Sequence, residues 1–80
     1  MFISAQISLY PLKEQKLSPI IEEAWKILEE NQLDLEKGAM STVVAGEANR
    51  VFTAIREVFL KTVEKGAVSM VVTYSNACPI

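Results

Sequence analysis

Small polar side chains recur in three stretches of this chain, and they are the groups best suited to contact a small ligand. The stretches are "QISLYP" (6–11), "STVVAG" (41–46) and "TYSNA" (73–77). Hydroxyl and amide groups donate and accept hydrogen bonds, so they suit either a small polar heterocycle or a second copy of the same surface. Composition alone favours a solvated or self-associating sheet face. The members of such a face are Gln6, Ser8, Ser41, Thr73 and Ser75.

The residue types that catalysis usually needs are scarce. The chain has no histidine and one cysteine, Cys78, and it contains neither a glycine-rich phosphate loop nor a G-x-S-x-G nucleophile motif. The paired acids Glu22/Glu23 and Glu29/Glu30 fall on the solvent side of a predicted helix. We therefore predict no enzyme, no catalytic residue, no metal site and no other cofactor, and we give Cys78 a structural or incidental role.

Charge and hydropathy exclude two classes of partner. Eight basic residues against ten acidic ones give a net charge of −2, and the basic residues do not cluster, so we exclude nucleic acid. No apolar run reaches the roughly 18 to 20 residues that a membrane span requires. Ser4, Gln6 and Ser8 interrupt the apolar segment that a signal peptide would need. We expect a cytoplasmic protein that does not insert into a membrane.

The first part of the chain predicts a strand and a helix. Residues 2–10 alternate with a period of two, and Pro11 ends the run because proline lacks the N–H that a sheet needs. Ser18 followed by Pro19 predicts a helix N-cap, and Asn31 predicts a left-handed stop. Apolar residues recur between them at helical spacing: Leu17, Ile20, Ile21, Ala24, Trp25, Ile27 and Leu28.

The rest of the chain predicts a hairpin, a second helix and a last strand. Residues 33–46 alternate on both sides of a turn at Gly38, which is typical of a β-hairpin. An apolar stripe then predicts a helix that ends near Gly66. The segment "AVSMVVTYS" (67–75) alternates as a strand, and Pro79 closes it. The helical stripe consists of Val51, Phe52, Ile55, Val58, Phe59, Thr62 and Val63.

The predicted element order is βαββαβ, and right-handed crossovers place both helices on one face of a four-stranded antiparallel sheet. This is the α+β ferredoxin-like fold, as a single domain over residues 1–80. Thr42 points toward the helices, where its hydroxyl needs a buried partner. The face without helices, called the bare face below, then carries Gln6, Ser8, Tyr10, Ser41, Val43, Ser69, Thr73 and Ser75.

Three motifs taken together resemble the YkoF-like thiamine-binding family. They are "SLYP" at the end of the first strand, "STVVAG" followed by "EANRVF" at the second helix, and "SNACP" after the last strand, with matching spacing over essentially the whole chain. The resemblance implies ferredoxin-like modules, single or tandem, that assemble through their sheets. It also implies binding of thiamine or its hydroxymethylpyrimidine part without chemistry. This chain resembles a single-module member.

The resemblance to the family also implies which residues of this chain match its motif positions. Ala45 stands where relatives can carry an arginine or an acid, so a charge contact at that position does not carry over. The positions that do match are Ser8, Tyr10, Ser41, Thr42, Ser75 and Cys78.

The implied ligand sets the requirements for a site. Thiamine joins a cationic thiazolium to an aminopyrimidine, which call for an aromatic wall, hydrogen-bonding groups and a nearby acid. Tyr10 or Trp25 is the candidate wall and Glu47 the candidate acid, although Trp25 and Met40 also fit the core. The alternation of side chains along the strands does not decide whether the ligand site lies on the bare face or on the helix side of the sheet. The predicted ligand-binding residues are Gln6, Ser8, Tyr10, Trp25, Ser41, Thr42, Glu47, Ser75 and Asn76.

The predicted function is non-catalytic binding of thiamine or its hydroxymethylpyrimidine part, for vitamin buffering, salvage or transport support. The small core and the bare face predict a homodimer or homotetramer. The alternative function is a ferredoxin-like regulatory or oligomerisation module that senses another small metabolite.

Overall fold

The computed structural model describes residues 1–12, 17–38 and 41–77, with the backbone alone at 17 and 18. The expectations for Met40, Cys78 and Pro79 lie outside the described residues. In the described part, no helix combines the length and hydropathy needed to cross a membrane.

The sheet has four antiparallel strands in the order β2-β3-β1-β4, which confirms the predicted ferredoxin-like fold. Both helices contact the sheet and each other. The elements are β1 (Phe2–Pro11), α1 (Leu17–Glu30), β2 (Asp34–Lys37), β3 (Thr42–Glu47), α2 (Ala48–Val63) and β4 (Val68–Ser75).

The core lies between the sheet and the helices, as the alternation along β1 predicts. Ala5 pairs with Val44 of β3 and with Tyr74 of β4, and both Ala5 and Val44 are completely buried. Burial of such apolar side chains is the main driving force for folding. The core cluster comprises Ile3, Ala5, Ile7, Ala24, Ile27, Leu28, Leu33, Val44, Val51, Ala54, Ile55 and Val58.

β1 ends one residue later and α1 begins two residues earlier than the sequence predicted. β1 continues through Pro11, which pairs with Val68, because a proline at a strand end removes only one ladder hydrogen bond. α1 begins at Leu17, so Ser18 lies inside its first turn and not at the N-cap. Pro19 is tolerated there because the first N–H groups of a helix have no partner within it.

The left-handed residue after α1 is Gln32, with φ of 60°, and the prediction of Asn31 was wrong. Asn31 instead continues the helical hydrogen bonding, since its backbone N–H donates to Ile27 O and Leu28 O. Its side-chain Nδ2 also donates to Ile27 O at 2.8 Å. The chain therefore reverses one residue later than the sequence suggested.

The apolar stripe of α2 is only partly buried. Val51 and Val58 are buried as predicted, whereas Phe52 is 49% exposed and Phe59 is 37% exposed. Phe52 packs instead against Tyr74 of β4, with ring centroids 5.0 Å apart. Burial raises the pKa of the Tyr74 hydroxyl. The exposed part of the stripe therefore includes an aromatic contact between α2 and β4.

Candidate functional site

The β2–β3 hairpin places Lys37 and Thr42 opposite each other. They are Cα partners in the antiparallel register, so their side chains lie on the same face of the sheet, the helix side. The hairpin is tied by a hydrogen bond from Gly38 N to Ser41 O at 2.9 Å. A side chain at Gly38 would put its Cβ 2.8 Å from that oxygen, so the turn requires glycine. This turn fixes where Lys37 and Thr42 stand relative to α1.

Trp25 of α1 reaches the same point from above the sheet. Its indole Nε1 donates to Thr42 Oγ1 at 2.9 Å, and Thr42 is only 8% exposed. This confirms the prediction that Thr42 faces the helices, and the partner of its hydroxyl is the partly buried indole of Trp25. A tryptophan N–H that leaves water needs an acceptor, so this bond fixes the orientation of the ring. Trp25 itself is only partly buried and leaves part of its ring accessible.

The accessible ring of Trp25 already has a cation beside it. Lys37 Nζ lies 4.7 Å from the ring centroid, within the range of a cation–π contact. The same Nζ lies 3.8 Å from Glu29 Oε1. Glu29 follows Trp25 by four residues on α1, so it stands on the same side of the helix. The sheet and the helix thus build one charged aromatic site together.

A shallow cleft of about 520 Å³, wide open to solvent, lies at this site. Sequence reasoning identified Trp25 but assigned its acidic neighbours to a solvated surface. The spacing of Glu22 and Glu29 around Trp25 was the available signal, whereas the position of Lys37 required the hairpin register. The cleft is lined by Glu22, Trp25, Lys26, Glu29, Glu30 and Lys37.

The bare face holds a second group of predicted site residues. Gln6 Nε2 donates to Ser41 Oγ at 3.3 Å, a long hydrogen bond between side chains of neighbouring strands. Ser8 and Tyr10 continue along β1 on this same face, and Tyr10 is 51% exposed. These groups form an open row on a sheet surface. The structure brings them together with one another but not with Trp25 and Thr42, which lie on the helix side.

The remaining predicted residues lie at the opposite end of the sheet. Glu47 caps α2, where its side chain accepts from Asn49 N at 2.9 Å. Ser75 forms hydrogen bonds with Ala77 through its hydroxyl, and Asn76 is exposed beside it. Five positions along β3 separate Glu47 from Thr42, roughly 17 Å at the rise of a strand. One small ligand therefore cannot contact Thr42 and this end together.

Comparison with models of protein families shows which family the chain belongs to. The model of the YKOF-related family matches residues 2–80. The chain belongs to the YKOF-related family. This membership confirms the resemblance that the three sequence motifs indicated. No match was found among curated protein sequences.

Solved structures similar to this YKOF-related chain share its fold. The hypothetical protein MJ1052 from Methanocaldococcus jannascii is 22% identical, with a TM-score of 0.87 over 95% of this chain and 80% of that one. A candidate thiamine biosynthesis/salvage protein, TM0486 from Thermotoga maritima, is 16% identical, with a TM-score of 0.84 over 96% and 85%. A DUF77 domain of unknown function from Bacillus cereus is 18% identical, with a TM-score of 0.79 over 95% and 76%.

Proposed function

We propose that this YKOF-related protein binds thiamine or its hydroxymethylpyrimidine part, without chemistry, in the cleft beside Trp25. The observation that carries the proposal is the indole ring, which Thr42 orients and Lys37 already covers with a positive charge. Family membership and the similarity to the Thermotoga maritima protein support a thiamine-related role.

The chemistry of the cleft matches the chemistry of the ligand. A flat aromatic ring with an accessible face suits a second flat ring, and the quadrupole of tryptophan favours a cation above it. Glu22, Glu29 and Glu30 line the cleft and supply carboxylates for a thiazolium or for amino-group donors of the pyrimidine. The side chains that line the cleft can hold a cationic ligand through reversible contacts. We therefore propose vitamin buffering, salvage or transport support in the cytoplasm, with no metal or other cofactor.

Isothermal titration calorimetry with thiamine, hydroxymethylpyrimidine and a panel of amino acids tests this function. Saturable heat with thiamine or hydroxymethylpyrimidine, and none with amino acids, is the expected result. A matching thermal-shift series must show stabilisation, because a ligand of the native state raises the free energy of unfolding. Heat with an amino acid alone favours the alternative, a metabolite-sensing regulatory module. Absence of heat with every compound at millimolar concentration contradicts both.

We also propose that the protein forms a homodimer through β4, the uncharged edge of the sheet. The other edge, β2, has only four residues and carries Asp34, Glu36 and Lys37. β4 has eight residues, none charged, and its outer side faces no other described strand. An uncharged edge of this length is a template for pairing, whereas charges block it.

A second copy is the occupant that this edge fits best. Two β4 strands that pair antiparallel about a two-fold axis form an isologous contact with no charge to oppose it. The rings of Phe52 on α2 and Tyr74 on β4 contact each other and are both partly exposed in the single chain. Such a dimer contact would bury part of this ring pair. A tetramer would then use the bare faces of two dimers.

A further inference from the structure

The ammonium of Lys37 stands where a ligand would have to stack. It lies 4.7 Å from the centroid of the Trp25 ring, at the wall of the cleft. A flat ligand that uses this face of the ring must first displace it. Lys37 is therefore a resident cation in the site, and its departure is part of any binding event there.

Lys37 is held weakly enough to leave. Its partner Glu29 lies 3.8 Å away, and the side chains of Lys37 and Glu29 are 47% and 58% exposed. Exposed ion pairs contribute little to stability because water screens them and long side chains lose rotamer freedom. The indole, by contrast, keeps its hydrogen bond to the buried Thr42. The ring therefore stays in place when the lysine moves away.

The charges that remain favour a positive replacement. Without Lys37 over the ring, Lys26 is the one remaining ammonium among the described residues that line the cleft, against the carboxylates of Glu22, Glu29 and Glu30. A cationic ligand restores both the cation–π contact and the charge balance. A neutral ring displaces Lys37 and restores neither. An exchange of one cation for another thus costs less than the entry of an uncharged ring.

We propose that the Trp25 cleft binds organic aromatic cations by exchange with Lys37, and that the carboxylates of Glu22, Glu29 and Glu30 set the preference for the thiazolium half of thiamine, against which Lys37 competes. This inference rests on the proposed function and deepens it, since it names which half of the ligand meets the tryptophan. Lys37 acts as a competitor of the ligand in this arrangement. Its removal is expected to tighten the binding of cations.

The test compares Lys37→Gln and Lys37→Met with Lys37→Arg, which keeps the charge. The probes are thiamine, N-methylthiazolium and hydroxymethylpyrimidine, the last at a pH where it is neutral. Trp25 is the only tryptophan of the chain, so its fluorescence reports stacking at this ring directly. Calorimetry measures the same affinities independently. Thermal unfolding checks that each variant is folded. Two neutral variants are used so that the test still stands if one of them does not fold.

The neutral variants are expected to bind both cations about two- to fivefold more tightly, the factor that a cation–π contact at an exposed site provides. Their affinity for hydroxymethylpyrimidine is expected to rise less, so the ratio of cation to neutral affinity increases. Lys37→Arg is expected to match the wild type within about twofold, since arginine remains as a resident cation.

Three results overturn the inference. The first two leave the proposed function intact, and the third leaves thiamine binding intact but moves it away from the cleft beside Trp25. One is weaker thiamine binding in both neutral variants, which makes Lys37 a contact of the ligand and not its competitor. Another is an equal change for thiamine and hydroxymethylpyrimidine. The third is thiamine binding by calorimetry without any change in Trp25 fluorescence. If the wild-type protein binds none of the probes, the proposed function fails and this inference fails with it.

Discussion

The Trp25 cleft and the bare face of the sheet both carry predicted site residues, but they differ in how those residues are fixed. In the cleft, the indole is oriented by a 2.9 Å hydrogen bond to a buried threonine, and charged groups surround it. On the bare face, Gln6 and Ser41 meet at 3.3 Å on an open strand surface. A shallow cleft with an oriented aromatic ring and charged groups suits a small flat ligand, whereas a row of small polar groups suits another protein surface.

The strongest test of this contrast is the removal of the aromatic ring. Trp25→Leu is expected to weaken thiamine binding roughly thirtyfold, because the ring supplies both a cation–π contact of about 1 kcal/mol at an exposed site and a ring-stacking contact of about 1 kcal/mol. Calorimetry measures the change, since the variant has no tryptophan fluorescence. Phe52→Leu, which removes an exposed aromatic ring of α2 outside the cleft, is the matched control and should bind as the wild type does. Equal losses in the two variants would move the site away from the cleft.

The second test concerns the β4 edge, for which we expect a protein contact and not a ligand contact. Val71→Lys places a charge on an exposed position of β4 and is expected to raise the dimer dissociation constant roughly tenfold, as two like charges meet across a symmetric interface. Sedimentation equilibrium measures the constant. Thr53→Lys adds the same charge on the exposed side of α2 and serves as control. A wild-type protein that stays monomeric at micromolar concentration refutes the dimer.

The third test separates the two faces at adjacent residues of the hairpin. Thr42→Val keeps the shape of the side chain but removes the acceptor that orients the indole, so the ring must be ordered again on binding, at a cost of about 1 kcal/mol and hence roughly fivefold weaker binding. Ser41→Ala removes the neighbouring hydroxyl on the bare face and is expected to change affinity little. The reverse pattern, with Ser41→Ala impaired and Thr42→Val normal, places the ligand on the bare face.

The fourth test, with the smallest expected effect, asks whether the carboxylates of the cleft contact the cationic thiazolium or the neutral pyrimidine of thiamine. Glu29→Gln removes one carboxylate from the cleft at constant size and is expected to weaken thiamine binding about twofold, in the range of an exposed ion pair. Hydroxymethylpyrimidine binding should be unchanged. Glu57→Gln on the exposed side of α2 is the control. A larger loss for hydroxymethylpyrimidine than for thiamine would contradict the assignment of the carboxylates to the thiazolium.

Much of the fold could be predicted from the sequence because its signals are local. Strand alternation correctly placed Thr42 toward the helices, where its hydroxyl does have a hydrogen-bond partner, the partly buried indole of Trp25. The sequence was a poorer guide to which residue at the end of α1 takes the left-handed conformation. Gln32 takes it, and the side chain of Asn31 instead bonds to a helical carbonyl. Phe52 and Phe59 fit the apolar period of α2, but burial depends on how much sheet lies beneath the helix.

The candidate site was predicted only in part, because its charged residues come together through tertiary structure. Trp25 and Thr42 were both candidates, but no sequence pattern showed that the indole bonds to that threonine. Lys37 had no signal of its own, since its contact with Trp25 depends on the hairpin register and on the approach of α1 to β2. The alternation of side chains along each strand correctly grouped the candidates by sheet face. The structure adds that Glu47 and Thr42 lie at opposite ends of β3.

The most direct test of the central claim is a titration of thiamine into the wild-type protein, followed by the fluorescence of Trp25. Because the chain has no other tryptophan, a saturable change in emission reports occupation of this ring. We predict saturable quenching with a midpoint equal to the dissociation constant from calorimetry. Binding heat with no change in Trp25 emission would contradict the claim that the ligand occupies the cleft.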